Sequence, residues 1–276
     1  MAGFVYIGLL VLKSHNARTL RTASMPSGRQ LHRNFAWVGP DRRDNSAMTA
    51  KYLTGIDVSQ YQGNINWKKV RDAKIDFVHM RSNVGTKQDT HMKDYCSKAG
   101  LPFGLYVYIK PEEDVVTQMR MMLDNHKQTG ANLIPQIDIE HHGDKKPKEL
   151  KTIVRTCIKM ATDELGKPPS VYTYPSFWNS HVTLKKGVEQ CPLWVARYVY
   201  YSAEEFKTNP VPKDVSLWDE YAFQPQKNPA AVKGWKTWDV WQFAANHNQA
   251  GKKFGMESAH LDLNIMREES MERFKL

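Results

Sequence analysis

Residues 133–174 have the sequence LIPQIDIEHHGDKKPKELKTIVRTCIKMATDELGKPPSVYTY. The short apolar runs 133–140 and 170–174 predict two buried strands, because each is rich in β-branched or aromatic residues and is bounded by turn residues. Between them, apolar residues recur at helical spacing from Leu150 to Leu165, with Pro147 before them and Gly166 after them. Proline and glycine at these places are typical of the two ends of a helix. The stretch therefore predicts a β/α/β unit with parallel strands.

The same alternation of short strands and amphipathic helices extends upstream. Strands are predicted at 53–58, 77–81 and 103–109, and a helix follows each of them. Asn66 is the predicted cap of the first helix, and Gly100 ends the second. After residue 174 the helical pattern weakens, but strand-like runs continue at 193–198, 237–243 and 260–265. Five β/α units followed by three strands predict an α/β fold, an irregular TIM-like barrel of eight strands, over residues 51–276.

Residues 1–50 differ from the rest and predict a basic N-terminal extension. The run Ala2–Leu12 is apolar, but it is too short for a membrane-spanning helix, which takes roughly 20 residues. No basic residue precedes the run and no small-x-small cleavage site follows it, so it is an atypical signal peptide. We expect an export signal, or else an anchor or an arm that attaches the protein to a membrane or a virion. The stretch 40–52, PDRRDNSAMTAKY, is a predicted linker that contains Met48. The alternative is that translation naturally starts later in the chain.

Composition and charge limit the class of function. A chain that is 41% hydrophobic and 25% charged is typical of globular proteins, and this excludes collagen, coiled coils and extended disorder. The net charge of +10 suits a polyanionic substrate such as bacterial wall. The same charge would suit nucleic acid, but the sequence has no nucleic-acid-binding motif. Three cysteines without CxxC spacing predict free thiols and synthesis in a reducing cytosol.

Four carboxylates in three predicted strands are the candidate catalytic residues. Active sites of parallel β/α proteins gather at the carboxyl ends of strands, and these runs contain Asp57, Asp138, Glu140 and Asp262. Asp138 and Glu140 are two residues apart, so they point to the same face with Cα atoms roughly 6.5–7 Å apart. Carboxyls this close disfavour double ionisation, which raises the pKa of one of them. A general acid for glycoside hydrolysis needs such a raised pKa, and a second carboxylate assists it.

Two other interpretations of the acidic residues stay open at this point. A pair of solvated carboxylates at a strand end needs no chemistry. Four carboxylates also suit a magnesium or calcium ion, in which case they would coordinate the metal rather than transfer a proton. We expect no metal and no cofactor, because the hydrolysis outlined above uses carboxylates alone.

Six motifs in a fixed order are more specific than the acidic pair. They are TGIDVSQYQGNINW, the DIE at Asp138–Glu140, SVYTYPSFW, PLWVARY, VWQF and HLDLNIM. Together they cover roughly residues 53–267 and resemble glycoside hydrolase family 25. This family contains lysozymes that are often encoded by bacteriophages, and also by bacteria and fungi. The resemblance implies an irregular β/α barrel that cleaves the β-1,4 bond between N-acetylmuramic acid and N-acetylglucosamine in peptidoglycan.

The resemblance also implies roles for single residues. Glu140 is implied as the proton donor, Asp138 as the group that positions the substrate N-acetyl group or stabilises the transition state, and Asp57 and Asp262 as the rest of the acidic cluster. Groove-lining positions are implied for six residues: Tyr106, Tyr172, Trp194, Tyr198, Trp241 and Gln242. Two departures affect substrate preference: Val107 stands where the family commonly has His, and Arg81 where it commonly has Lys.

The expected protein is thus a monomeric muramidase of the endolysin or virion-lysin type. It would be made in the cytoplasm of a bacterial host and act on the cell wall. Two alternatives remain: a barrel that binds wall glycan without cutting it, as a structural part of a phage particle, and a chitinase-like hydrolase. Retention of all four carboxylates favours an enzyme over a pure binder. Activity on peptidoglycan against chitin separates the two enzymes.

Overall fold

A computed structural model describes residues 52–198, 231–245 and 250–276. Its described strands are β1 (Tyr52–Val58), β2 (Phe77–Val84), β3 (Lys87–Gln88), β4 (Phe103–Tyr108), β5 (Gln136–Asp138), β6 (Ser170–Thr173), β7 (Leu193–Ala196), β8 (Val240–Ala244) and β9 (Asp262–Arg267). The longer α-helices are α1 (Trp67–Asp72), α2 (Met92–Lys98), α3 (Val115–Thr129) and α4 (Pro147–Leu165). Shorter helices follow at α5 (Pro175–Phe177), α6 (Ala250–Lys253) and α7 (Met271–Phe274).

The strands close into a barrel, as the sequence predicts. The order around it is β1-β9-β8-β7-β6-β5-β4-β2, and pairing of β1 with β2 completes the ring of eight. Six neighbouring pairs in the ring are parallel: β1–β2, β2–β4, β4–β5, β5–β6, β6–β7 and β7–β8. By contrast, β9 is antiparallel to both β8 and β1. The pattern of five β/α units followed by three strands is confirmed. The antiparallel direction of β9 was not predicted, because alternation of side chains does not encode strand direction.

Helix ends follow the local signals that the sequence carries. The Asn66 side chain accepts a hydrogen bond from the backbone N–H of Lys69 at 3.2 Å, which makes it the cap of α1. Pro147 is the first residue of α4, and Gly166 ends that helix in the left-handed conformation, with φ of 72°. These predictions are confirmed.

Two differences from the predicted strands matter for the site. β5 is three residues long instead of covering 133–140, and Pro135, which has no N–H to donate, directly precedes it. Glu140 therefore lies two residues beyond the strand rather than within it. β3 was not predicted, and it forms a short hairpin with the end of β2 outside the ring.

Side chains of each strand alternate between two apolar regions. The larger region lies between the outer barrel surface and the helices and includes Ile56, Val78 and Ile137. The smaller one fills the barrel interior with Phe77, Tyr172, Trp194, Val240, Met266 and Phe274. Phe274 comes from α7, and its carbonyl accepts from the N–H of Ile134 at 2.7 Å. The C-terminal segment thus closes the barrel end opposite the carboxyl ends of the parallel strands.

The cysteines and the membrane-spanning potential of the helices can be compared with the sequence. Cys157 and Cys191 are buried, Cys96 is partly buried, and all three are free thiols. No helix in the described part of the chain combines the length and apolarity needed to cross a membrane. The proposed extension, residues 1–50, lies outside the described residues, so the domain boundary near residue 50 stays a prediction.

Candidate active site

The four carboxylates predicted from the sequence lie at one end of the barrel. Asp57 is the penultimate residue of β1, Asp138 is the last residue of β5, and Glu140 follows it. Asp262 is the first residue of β9, so it lies at the start of its strand and not at the end. It pairs directly with Asp57 across the β1–β9 ladder. Because β9 is antiparallel, its first residue lies at the edge where the parallel strands end. This edge of the barrel is called the mouth below.

Asp57 is buried and held by two side-chain amides. Asn264 Nδ2 donates to Asp57 Oδ2 at 2.8 Å, and Gln242 Nε2 donates to the same oxygen at 2.9 Å. A further hydrogen bond joins the carboxyls of Asp57 and Asp262. Burial raises the pKa of Asp57, and these hydrogen bonds oppose the rise because they favour the charged form.

Asp138 lies in a less favourable environment for a charge. Its side chain is 7% exposed, and its Oδ1 has no hydrogen-bond partner. Burial raises the pKa of Asp138 well above its usual range, and the nearby carboxylates of Glu140 and Asp57 raise it further. The Arg81 guanidinium opposes this rise. A carboxyl with a raised pKa and a free oxygen can hold a proton and hydrogen-bond to a ligand.

Glu140 is partly exposed, so a ligand can reach it from solvent. Burial of the carboxyl and, after it, the charge of Asp57 raise the pKa of Glu140 to about 7. Glu140 therefore stays largely protonated between about pH 4.5 and 7, where an ordinary glutamic acid is already ionised. It can give its proton to a leaving group near neutral pH, which is the requirement for a general acid.

Four of the six predicted groove residues do lie at the mouth or directly beneath it. The Tyr172 hydroxyl donates to Gln242 Oε1 at 2.9 Å and is hydrogen-bonded to Tyr198. Tyr106 is partly exposed, and the charge of Asp138 contributes to its raised pKa. Burial is the largest cause of the raised pKa values of all three tyrosines, so their hydroxyls stay neutral donors.

The two tryptophans among the predicted groove residues do not line a groove. Trp241 is fully buried and faces away from the barrel interior, where its indole N–H donates to the carbonyl of Arg197 at 2.7 Å. Its neighbour Gln242 faces inward, and adjacent strand residues point to opposite faces, so only one of them can reach the mouth. Trp194 faces inward but is completely buried among Phe77 and other core side chains. The groove-lining prediction is wrong for both.

Sequence reasoning named Arg81 only as a departure from the family pattern, and did not predict it as a cation at the mouth paired with Asp89. The Arg81 side chain makes two contacts with Asp89 Oδ2, from Nε and from a terminal nitrogen, each at 2.9 Å. Its guanidinium also lies 4.9 Å from the centroid of the exposed Tyr61 ring. Arg81 is at an inward-facing position near the end of β2, so strand alternation could have identified it. Asp89 comes from the unpredicted β3 region and could not have been identified in that way.

Metal binding was the other interpretation of the acidic cluster. Across residues 52–198, 231–245 and 250–276, no three His, Cys, Asp or Glu side chains are arranged to hold a metal ion. The two amide nitrogens donate to Asp57 Oδ2, and amide nitrogens do not ligate magnesium or calcium.

A β/α barrel whose mouth carries a glutamic acid of raised pKa among other carboxyls has the groups that a glycoside hydrolase needs. The family model of Glycosyl hydrolases family 25 matches residues 56–252. The chain belongs to that family, which confirms the resemblance seen in the six motifs.

Relatives and solved structures agree with this assignment. The Escherichia coli (strain K12) protein YegX is 29% identical over 155 residues, which are 53% of this chain and 56% of YegX. The chain thus spans little more than half the length of that relative. Lysozyme M1 of Streptomyces globisporus is 24% identical over 229 residues, 78% of this chain and 69% of the lysozyme.

Among solved structures, a family 25 glycosyl hydrolase from Bacillus anthracis has a TM-score of 0.60 at 19% identity, covering 86% of this chain and all of that one. The catalytic domain of endolysin ply40 from the Listeria monocytogenes bacteriophage P40 has a TM-score of 0.58 at 20% identity. The match covers 81% of this chain and 97% of the endolysin domain. These structures share the fold.

Proposed function

We propose that the protein is a muramidase that hydrolyses the β-1,4 bond between N-acetylmuramic acid and N-acetylglucosamine in bacterial peptidoglycan. The observation that carries the proposal is Glu140, a carboxyl whose pKa is raised to about 7 at the mouth of a family 25 barrel. Its proton goes to the glycosidic oxygen, so the leaving sugar departs as a neutral alcohol. General acid help of this kind contributes on the order of 10²–10⁴ in rate.

The other carboxyls have complementary roles in this proposal. Asp138, with one buried oxygen lacking a partner, orients the substrate N-acetyl group or stabilises the transition state. Asp57 supplies the negative charge that helps to keep Glu140 protonated. Asp262 completes the cluster through its hydrogen bond with Asp57. Tyr106 and Tyr198, both partly exposed, are the groove residues from which neutral hydroxyls reach the glycan.

The setting of the activity is also a proposal. An enzyme of the endolysin or virion-lysin type would be made in the cytoplasm of a bacterial host, and its substrate partner would be the wall. Residues 1–50, with seven Lys and Arg against two Asp, would provide attachment to a membrane or a virion. The barrel itself would act as a monomer, without a metal or cofactor.

Reducing-sugar release from purified peptidoglycan tests the proposal. Glu140→Gln is isosteric and removes only the transferable proton, so we expect turnover to fall by on the order of 10²–10⁴ while the fold persists. Glu164→Gln is the matched control, because Glu164 is an exposed residue of α4 that pairs with Lys127. Chitin is the second substrate. A Glu140→Gln protein with more than half the wild-type rate would refute the assignment, and activity on chitin alone would favour the chitinase-like alternative.

A further inference from the structure

Trp194 lies beneath the carboxylates and touches the site through a single hydrogen bond. Its indole N–H donates to Asn264 Oδ1 at 2.9 Å. An indole N–H can only donate, so it fixes which end of the Asn264 amide faces it. The amide nitrogen is thereby directed to Asp57 Oδ2, 2.8 Å away. A rotated Asn264 would bring its NH₂ group against the indole N–H, which leaves two donors facing each other without an acceptor.

A second amide reaches the same oxygen from β8, the strand beyond β9. Gln242 Nε2 donates to Asp57 Oδ2 at 2.9 Å, and its Oε1 accepts from the Tyr172 hydroxyl. All of these groups are buried. N–H donors that converge on one carboxylate oxygen favour its ionised form, since the charged acceptor makes the stronger hydrogen bond.

We propose that Trp194 is a positioning residue: its indole N–H fixes the Asn264 amide, which in turn holds Asp57 as an ionised acceptor beside Glu140. The proposal rests on the proposed hydrolase function and deepens it. It assigns to Trp194 a role other than the groove contact that the resemblance implied. It also gives a function to the indole N–H of a tryptophan that is completely buried.

Few of the groups around Asp57 and Glu140 carry charge. The hydroxyls that face them belong to Tyr106, Tyr108, Tyr172, Tyr174 and Tyr198, and burial raises the pKa of each, so they stay neutral. The groups that titrate or carry charge are Asp57, Asp138, Glu140, Asp262 and His79, together with the permanently charged Arg81. His79 is the register partner of Asp57 on β2, and its ring lies edge-on to Trp194 with 4.9 Å between the centroids. Burial lowers the pKa of His79 to about 4, so it is neutral near pH 7. Arg81 is engaged by Asp89. Asp57 is thus the charge that the Trp194–Asn264 pair controls.

The direction of the effect follows from the interaction between Asp57 and Glu140. Ionised Asp57 contributes to the raised pKa of Glu140. Without the indole N–H, a protonated Asp57 that donates to Asn264 Oδ1 becomes accessible, so Asp57 takes up a proton more readily. Neutral Asp57 no longer raises the pKa of Glu140. Glu140 then loses its proton at lower pH, and the alkaline limb of kcat/KM moves down.

The test compares Trp194→Phe, Asn264→Leu and the double variant. We expect Asn264→Leu to lower the alkaline limb by about one pH unit, a size that one nearby charge commonly produces. Trp194→Phe should shift it in the same direction and by no more. In the double variant the shift should equal that of Asn264→Leu alone, because Trp194 acts only through Asn264. Trp178→Phe is the control: Trp178 is also fully buried, but its indole N–H donates to backbone carbonyls of Leu184 and Lys233.

Titration of the Glu140 carboxyl by ¹³C NMR provides a readout that needs no activity. If the wild type releases no sugar at any pH but the Glu140 titration moves in Trp194→Phe and not in Trp178→Phe, the proposed function fails and the positioning role stands. If the wild type is active and the titration is the same in wild type and both single variants, the positioning role is overturned. Should Trp194→Phe fail to fold, the titration in Asn264→Leu decides in the same way.

Discussion

Replacing Asp57 by Asn is expected to move the alkaline limb of the pH–rate profile downward within defined bounds. The ordinary pKa of glutamic acid is 4.5, and that of Glu140 is about 7, with burial as the larger cause and the charge of Asp57 as the second. Asparagine has the same shape, so burial of Glu140 is retained and only the charge is lost. The limb should therefore fall below about 7 and stay above 4.5. At a pH above both limits, each pH unit of displacement costs about tenfold in rate.

The assay is kcat/KM for sugar release from soluble peptidoglycan fragments, measured from pH 4 to 9 on both proteins. The position of the limb is independent of its height, so a general loss of rate in the variant does not disturb the comparison. This substitution also gives the largest displacement that the Trp194 and Asn264 variants can reach. A limb that stays near 7, or moves upward, would contradict the electrostatic link between Asp57 and Glu140.

Three further predictions test the account from other directions. Phe274→Ala should lower the free energy of unfolding by about 3–5 kcal/mol in urea, since the ring is fully buried in the barrel end, whereas Val116→Ala on the exposed face of α3 should cost far less. EDTA should leave activity unchanged. A loss of activity that magnesium or calcium restores would mean that the carboxylates are metal ligands and do not act by proton transfer. A protein that starts at Met48 should fold and cleave soluble fragments at a near-normal rate, and a melting temperature well below that of the full chain would place residues 1–50 in the fold.

The barrel was predictable from the sequence because its signals are local. Strand runs, helical spacing and residues such as Asn66, Pro147 and Gly166 each act within a few positions. The direction of β9 and the existence of β3 depend on pairing with distant strands, and side-chain alternation is the same in either direction. Those features could not be obtained from periodicity.

The acidic cluster was also predictable, since Asp138 and Glu140 stand out in the largely apolar run 133–140. The hydrogen-bond partners of the cluster were not. The contact from Asn264 to Asp57 joins residues 207 positions apart, and that from Gln242 joins residues 185 apart. The groove positions implied for Trp194 and Trp241 differ from the structure for a related reason. The place of a residue in a motif does not reveal which face of the strand its side chain occupies, or how far that side chain is buried below the mouth.

The central claim is that this barrel cuts on the reducing side of N-acetylmuramic acid. Purified peptidoglycan is digested with the full chain, the new ends are reduced with borohydride, and the fragments are analysed by mass spectrometry. Cleavage of the proposed bond leaves N-acetylmuramic acid at the new reducing end, so the account predicts muramitol in the wild-type digest and none above background with Glu140→Gln. Glucosaminitol in its place, or muramitol undiminished in the Glu140→Gln digest, would contradict it.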